Sequence, residues 1–182
     1  MKRTWRWSRD RRETRGTRWL GRRLRTRVIP GIAGLCMSLA GATGAWDAGT
    51  GVPLPPERVV LCGVRGALDD FDGNGRAAVE ASPVHMVPPG PDAEARVLTA
   101  LGGGPVYVHL DPDVLDPSEN PVPYARPGGL SLDQVERLLR AVAGRGSVVG
   151  VELTAFHTDD EPARRDALGA RLVGCLAGLL GF

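Results

Sequence analysis

Residues 105–117 read Pro-Val-Tyr-Val-His-Leu-Asp-Pro-Asp-Val-Leu-Asp-Pro. An apolar, β-branched run breaks here into three aspartates. The apolar half, Pro105 to Leu110, has the pattern of a parallel strand buried on both faces. Asp111 and Asp113 are two apart, so an extended strand end aims both carboxylates the same way, with about 7 Å between Cα atoms. Carboxylates that close repel and raise each other's pKa unless a cation sits between them. Hard oxygen donors suit Mn²⁺, Mg²⁺ or Ca²⁺ better than zinc. The same aspartates would also serve as plain turn formers after a strand, and Asp116-Pro117 favours a turn that ends it.

Working outward, three further strands are expected at Arg58–Val64, Ser147–Leu153 and, more weakly, Val84–Val87. Helices are expected at Asp92–Leu101, closed by Gly102-Gly103-Gly104, at Ser131–Ala143 with Ser131 as N-cap, and at Glu161–Leu180 with Pro162 in its first turn. Leu132, Val135, Leu138, Leu139 and Val142 mark one face of the second helix. Leu168, Leu172, Leu176 and Leu179 do the same for the third. The order β, β, α, β, α, β, α predicts an α/β fold with an open parallel sheet, and such sheets collect their chemistry at the carboxyl ends of the strands. The residues just after Leu110 are therefore the place for a site.

At 182 residues, 42% apolar and 24% charged, the chain has the composition of one globular domain. The formal net charge of +2 conceals a division: residues 1–27 hold twelve of the 23 Lys and Arg and two of the 21 Asp and Glu. That segment carries +10 and residues 28–182 carry −8. No stretch approaches 18 consecutive apolar residues, so no membrane-spanning helix is expected. Cys36, Cys62 and Cys175 are odd in number and far apart, which fits neither a disulfide framework nor a zinc cluster and makes a reducing, cytoplasmic setting the expectation. Cys62 reads as a small core residue.

His109-Leu110-Asp111-Pro112-Asp113-Val114-Leu115-Asp116-Pro117, followed by Pro127-Gly128-Gly129-Leu130-Ser131 at the head of a helix, strongly resembles the arginase/agmatinase (ureohydrolase) family. The family pattern is S-x-D-x-D-x-x-D-P, a loop of about ten residues, then P-G-G-L-[ST]. Residues 31–40 are similar to the family's Gly-Met-x-Leu-Ala stretch, Arg58 to Arg65 to its next strand, and Val148 to Leu153 to its last core strand. The likeness covers roughly residues 31–182 and corresponds to the C-terminal half of a family member. It implies a three-layer α/β/α fold, partial here, and hydrolysis of a guanidino C–N bond with release of urea. In that family two manganese ions activate a bridging water for attack on the guanidinium carbon. By the same likeness Asp111 and Asp113 stand at the second pair of metal-ligating aspartates, and the partners are a small guanidino substrate and further copies of a family subunit.

Three departures limit what the resemblance implies. The upstream histidine and D-x-H-x-D ligands of the family have no counterpart, because the Arg-rich segment stands where they belong. Ala155 falls at the position of the glutamate that binds the substrate guanidinium, with Glu152 three residues earlier and expected on the opposite side of the strand. His109 replaces the usual serine. A truncated chain with at most a partial manganese site and low or no activity is the expectation, no catalytic residue being assigned. A non-catalytic pseudoenzyme subunit, docked on an intact paralogue, is the alternative. Half of an eight-stranded sheet would also expose a long edge strand and an apolar face.

Residues 1–27, MKRTWRWSRDRRETRGTRWLGRRLRTR, show no apolar periodicity and read as a disordered tail preceding a ureohydrolase-like domain over 28–182. Arginine interleaved with tryptophan is suited to phosphate pairing and base stacking, so a nucleic-acid arm is one reading. A secretory signal is disfavoured by the long charged region and by Pro30. Eleven arginines against one lysine also fit translation of GC-rich DNA out of frame. Asp70-Phe71-Asp72-Gly73-Asn74-Gly75 imitates the start of a calcium loop, yet Ala81 stands at its twelfth position, and a turn is the simpler reading. His157-Thr158-Asp159-Asp160-Glu161 reads as acidic residues favoured at a helix N-terminus. No P-loop, G-x-G-x-x-G or G-x-S-x-G motif is present.

Overall fold

The computed structural model describes residues 27–29, 35–45, 52–65, 79–122, 126–156 and 161–181. The apolar runs become short parallel strands and the periodic segments become helices. β1 is Arg27–Ile29, α1 Leu35–Ala42, β2 Val60–Cys62, β3 His85–Val87 and α2 Ala93–Leu101. β4 Val106–Leu110, α3 Leu132–Arg145, β5 Val148–Leu153 and α4 Pro162–Leu179 complete the order. Parallel pairing joins β1 to β4 and β4 to β5, and separately β2 to β3. β1 packs beside β2, so the two groups lie next to each other.

The sheet has helices on both faces. On one face α2 lies on β2 and β3, α3 lies between α2 and α4, and α4 lies on β5. Val60, Cys62 and Val87 join Val106, Val108 and Leu110 of β4 in a continuous core with α2, α3 and α4. All five apolar positions expected on α3 are buried. On α4 Leu172, Leu176 and Leu179 are buried and Leu168 packs against the same core. On the other face Leu39 of α1 meets Val59, Leu61 and Val64. The result is the expected α/β/α arrangement. Side chains such as Leu172 and Val142, fully excluded from solvent, each contribute on the order of 2 kcal/mol through burial.

Local chemistry sets the boundaries. Ser131 accepts from Gln134 N at 3.2 Å while Gln134 Oε1 accepts from Ser131 N at 2.8 Å, a reciprocal capping box that starts α3. Asp92 occupies the N-cap position of α2 but its side chain makes no capping bond there. It stands 4.0 Å from Arg96 one turn on.

Two elements escape the sequence pattern. β1 has three residues and begins in the basic segment, too short for an alternation to register. Arg58, expected to open a strand, instead ends a single 3-10 turn over residues 56–58, because Pro56 cannot donate to a ladder and holds the turn's φ. The calcium-loop-like residues 70–75, the acidic cluster 157–160 and the segment 1–26 lie outside the described residues. Among the described residues no helix is long and apolar enough to cross a membrane.

Candidate functional site

Asp111 lies where β4 stops. Its backbone is still extended, at φ −109° and ψ 118°, but the next three residues, Pro112–Val114, curl into a 3-10 turn. Asp111 Oδ1 caps that turn by accepting from Asp113 N at 2.9 Å. The structure therefore brings the two aspartates together by a different route from the one expected: a capped turn, with Asp113 outside the strand, replaces strand alternation. Proline at the turn's first position presets its φ, and aspartate before it is a standard cap. Both carboxylate residues are buried, Asp111 at 2% and Asp113 at 5% exposure. Two buried acids side by side are costly as anions unless positive charge or donors meet them.

Part of that positive charge is Arg65, which follows β2. Its Nε donates to Arg126 O at 2.8 Å, Nη1 to Val114 O at 3.1 Å and Nη2 to Leu115 O at 2.7 Å. Burial lowers the Arg65 pKa, while the charges of Asp116 and Asp113 pull it back up. One guanidinium thus ties the chain after Asp113 to the loop before α3 and places a cation near the acids. Asn120, buried at 2% exposure, donates to Pro112 O at 3.3 Å and so holds the same turn. Sequence reasoning singled out neither as a site residue. Arg65 stood at the end of a recognisable strand pattern, and Asn120 carried no signal beyond its place in a Pro-rich loop.

Asp116 is the fastener of this loop. Oδ1 accepts from Ser118 N at 3.1 Å and Ser118 Oγ at 2.8 Å, and Oδ2 from Gly128 N at 2.9 Å and Gly129 N at 3.3 Å. These four donors hold its pKa below the ordinary carboxylate value, with the Ser118 amide the largest cause. The backbone is stitched in parallel, Leu130 N to Val114 O at 3.0 Å and Asp116 N to Leu130 O at 2.9 Å. Gly129 is required here, because a Cβ would lie 2.5 Å from Asp116 N and from Leu115 C. Gly63 has φ +80° and its Cβ would meet Val114 Cγ2. The motif D-x-D-x-x-D-P with P-G-G-L is thus one folded object. Its third aspartate and its glycines hold the turn that carries the first two.

A second polar group lies on the sheet beside this turn. His109 Nδ1 is 2.5 Å from Glu152 Oε1, directly across on β5, and Nε2 is 3.1 Å from Thr154 Oγ1. Burial, then the charge of Glu152 and a hydrogen bond to it, push the Tyr107 hydroxyl up. Glu152 therefore shares a face with Tyr107 and His109, the face that continues toward Asp111. Ala155, expected opposite it, sits at φ 50° where the strand has ended.

Among the described residues no three His, Cys, Asp or Glu side chains come together as a group able to hold a metal. Asp111 and Asp113 alone fall short of a two-ion centre, which needs about six donors per octahedral ion and several protein bridges. The described residues therefore do not fit such a centre by themselves.

The comparisons with known proteins converge. The family model described as "Arginase family" matches residues 39–178. The N(omega)-hydroxy-L-arginine amidinohydrolase of Streptomyces lavendulae is 33% identical over 141 residues, 78% of this chain and 50% of that protein. The N(1)-aminopropylagmatine ureohydrolase of Thermus thermophilus is 40% identical over 88 residues, 48% of this chain and 29% of that protein. Among solved structures, arginase from Bacillus caldovelox superposes with a TM-score of 0.65 at 21% identity, covering 84% of this chain and 60% of that one. Arginase from Bacillus subtilis gives 0.66 at 22%, covering 84% and 62%. The chain spans half or less of the length of these curated relatives. With the family match running over residues 39–178 of 182, and the D-x-D turn and its glycine clasp folded as one unit, this chain belongs to the arginase family.

Proposed function

We propose that this chain carries the C-terminal part of an amidinohydrolase site for a guanidino compound, and that alone it turns over little or none. Asp111 and Asp113 are assigned as a metal-ligating pair, and manganese is the ion that hard carboxylate donors and the family favour. The observation that carries the reading is the buried pair at the carboxyl end of β4, held in a turn that Asp111 itself caps. The ion's chemistry in such a site is to lower the pKa of a bound water. The chain's own contribution is to hold the two acids, with Arg65 fixing the loop behind them. No hydrolytic step follows from these residues alone, since two carboxylates leave most of an ion's coordination unfilled.

The test is urea release from arginine, agmatine and N-hydroxyarginine with added Mn²⁺. The expected result is no metal-dependent turnover above the protein-free rate. Robust turnover, abolished by Asp111→Asn, would show that the chain completes its own site.

A second reading concerns residues 1–27, favoured by their charge of +10 and three tryptophans. These residues would bind nucleic acid through phosphate pairing, with affinity falling steeply as salt rises. Deleting residues 1–27 without loss of binding would contradict it.

A further inference from the structure

His109, Glu152 and Thr154 form one hydrogen-bonded line that the aspartate pair does not use. His109 and Glu152 face each other in register across β4 and β5, with Nδ1 2.5 Å from Oε1. The other ring nitrogen, Nε2, is 3.1 Å from Thr154 Oγ1. A carboxylate can only accept, so for the neutral ring it selects the tautomer with the proton on Nδ1. Nε2 then carries the lone pair, and the Thr154 hydroxyl donates to it. The Tyr107 hydroxyl hydrogen-bonds the same carboxylate and restrains it from leaving His109. Gly150 makes room for that contact, because a Cβ there would lie 2.8 Å from the Tyr107 ring.

Thr154 is held by its main chain, N donating to Leu110 O at 3.0 Å where β5 ends, and the residue is partly exposed. The next residue, Ala155, has φ 50° and is the one non-glycine at positive φ among the described residues. Backbone held there is strained, and strain of this kind gathers where a side chain has to be presented. A strand, a strained turn and then a helix is also the local order that exposes the nucleophile of α/β hydrolases. The G-x-S-x-G sequence is missing, but such constellations are recognised by geometry and roles. We propose that Thr154, His109 and Glu152 act as nucleophile, base and positioning carboxylate in metal-independent hydrolysis of small activated carboxylic esters. Thr154 Oγ1 bonds to the ester carbonyl carbon as its proton passes to His109 Nε2. The bond from that carbon to the alcohol oxygen breaks, and the alcohol leaves with the proton. Water then attacks the acyl group on Thr154 and gives a proton to Nε2; the carboxylic acid departs and Oγ1 regains its proton. Thr154 and His109 are the catalytic residues, and Glu152 acts through the ring it orients.

The experiment incubates the full chain with p-nitrophenyl acetate in the presence of EDTA, follows p-nitrophenol release, and locates acetyl groups by mass spectrometry after an acid quench. The expected result is turnover that EDTA leaves unchanged, with acetyl on Thr154. Thr154→Val, which keeps the main-chain bond to Leu110, loses the acetyl group and slows release by at least about a hundredfold. Thr154→Ser keeps both, and with the acetylated peptide it decides the matter even if the valine variant misfolds. Nitrogen-15 spectra of the His109 ring in the native chain place the proton on Nδ1. Glu152→Gln shifts it toward Nε2 and slows release by at least about tenfold, a tautomer change that a merely structural clip between the strands would not couple to rate. Acetylation elsewhere but not on Thr154, equal rates in the valine and serine variants, or a native ring protonated on Nε2 overturns the proposal. So does turnover abolished by EDTA, which would assign the chemistry to a metal ion. Urea release does not enter this test, so its outcome is independent of the aspartate-pair reading above.

Discussion

Gly129 has no room for a side chain. Its Cβ would fall among Leu115 C, Leu115 O and Asp116 N at 2.5 to 2.6 Å, all backbone atoms that cannot swing aside. Gly129→Ala therefore pushes the loop before α3 away from the turn that holds Asp113, and a cost of about 2–3 kcal/mol is expected from overpacking of this kind. The denaturant midpoint of the variant checks it, and a change under about 0.5 kcal/mol, the scale of an ordinary surface substitution, would contradict it. Asp116 makes a prediction in pH. Its folded pKa lies below the ordinary value, so the stability it contributes is present above about pH 4 and is lost as pH falls through the folded pKa. Asp116→Asn removes the anion and leaves an amide that cannot accept from all four donors. The variant should be less stable at neutral pH and show a flatter loss of stability between about pH 5 and 2. An unchanged acid slope would mean that the four donors do not report on folding.

At the scale of elements, the helices were the most legible part of the sequence, for a physical reason. α3 repeats its apolar positions over four turns and begins with a reciprocal cap, so periodicity and cap agree. β1 offers three residues and no period; its partners, β4 and β2, lie far along the chain, and only tertiary pairing defines it. The D-x-D spacing predicted both aspartates on an extended strand end, whereas Asp113 lies in a 3-10 turn, because a proline between them favours a turn as readily as an extended end. Strand parity does not relate Glu152 to Ala155 in the structure, because Ala155 has already left the strand at positive φ. Cys62 on β2 behaves as its apolar run implied. Burial pushes its thiol up to about 11 from the ordinary 9.0. A raised thiol pKa stabilises the folded state at pH values below the unfolded pKa, and that contribution is lost as pH rises toward 11. The melting temperature should fall between pH 9 and 11, and Cys62→Ala, though less stable at pH 7 from the cavity it leaves, should fall less steeply. Tyr107, also raised, adds a loss of the same sign that the substitution leaves in place. Equal slopes in the two proteins would place the thiol in contact with solvent.

At the scale of the whole molecule, the fold places the two carboxylates at the carboxyl end of β4. The parallel sheet, its helices on both faces and the D-x-D turn belong to the arginase family. Among the described residues no group of three or more His, Cys, Asp or Glu comes together, which is the observation the proposed half-site reading starts from. The most direct measurement is the stoichiometry and affinity of Mn²⁺ binding to the chain, followed by electron paramagnetic resonance, in the native sequence and in Asp111→Asn and Asp113→Asn. The account predicts at most one weakly held ion per chain, lost in either variant. Two tightly held, spin-coupled ions, or binding indifferent to both substitutions, would contradict it.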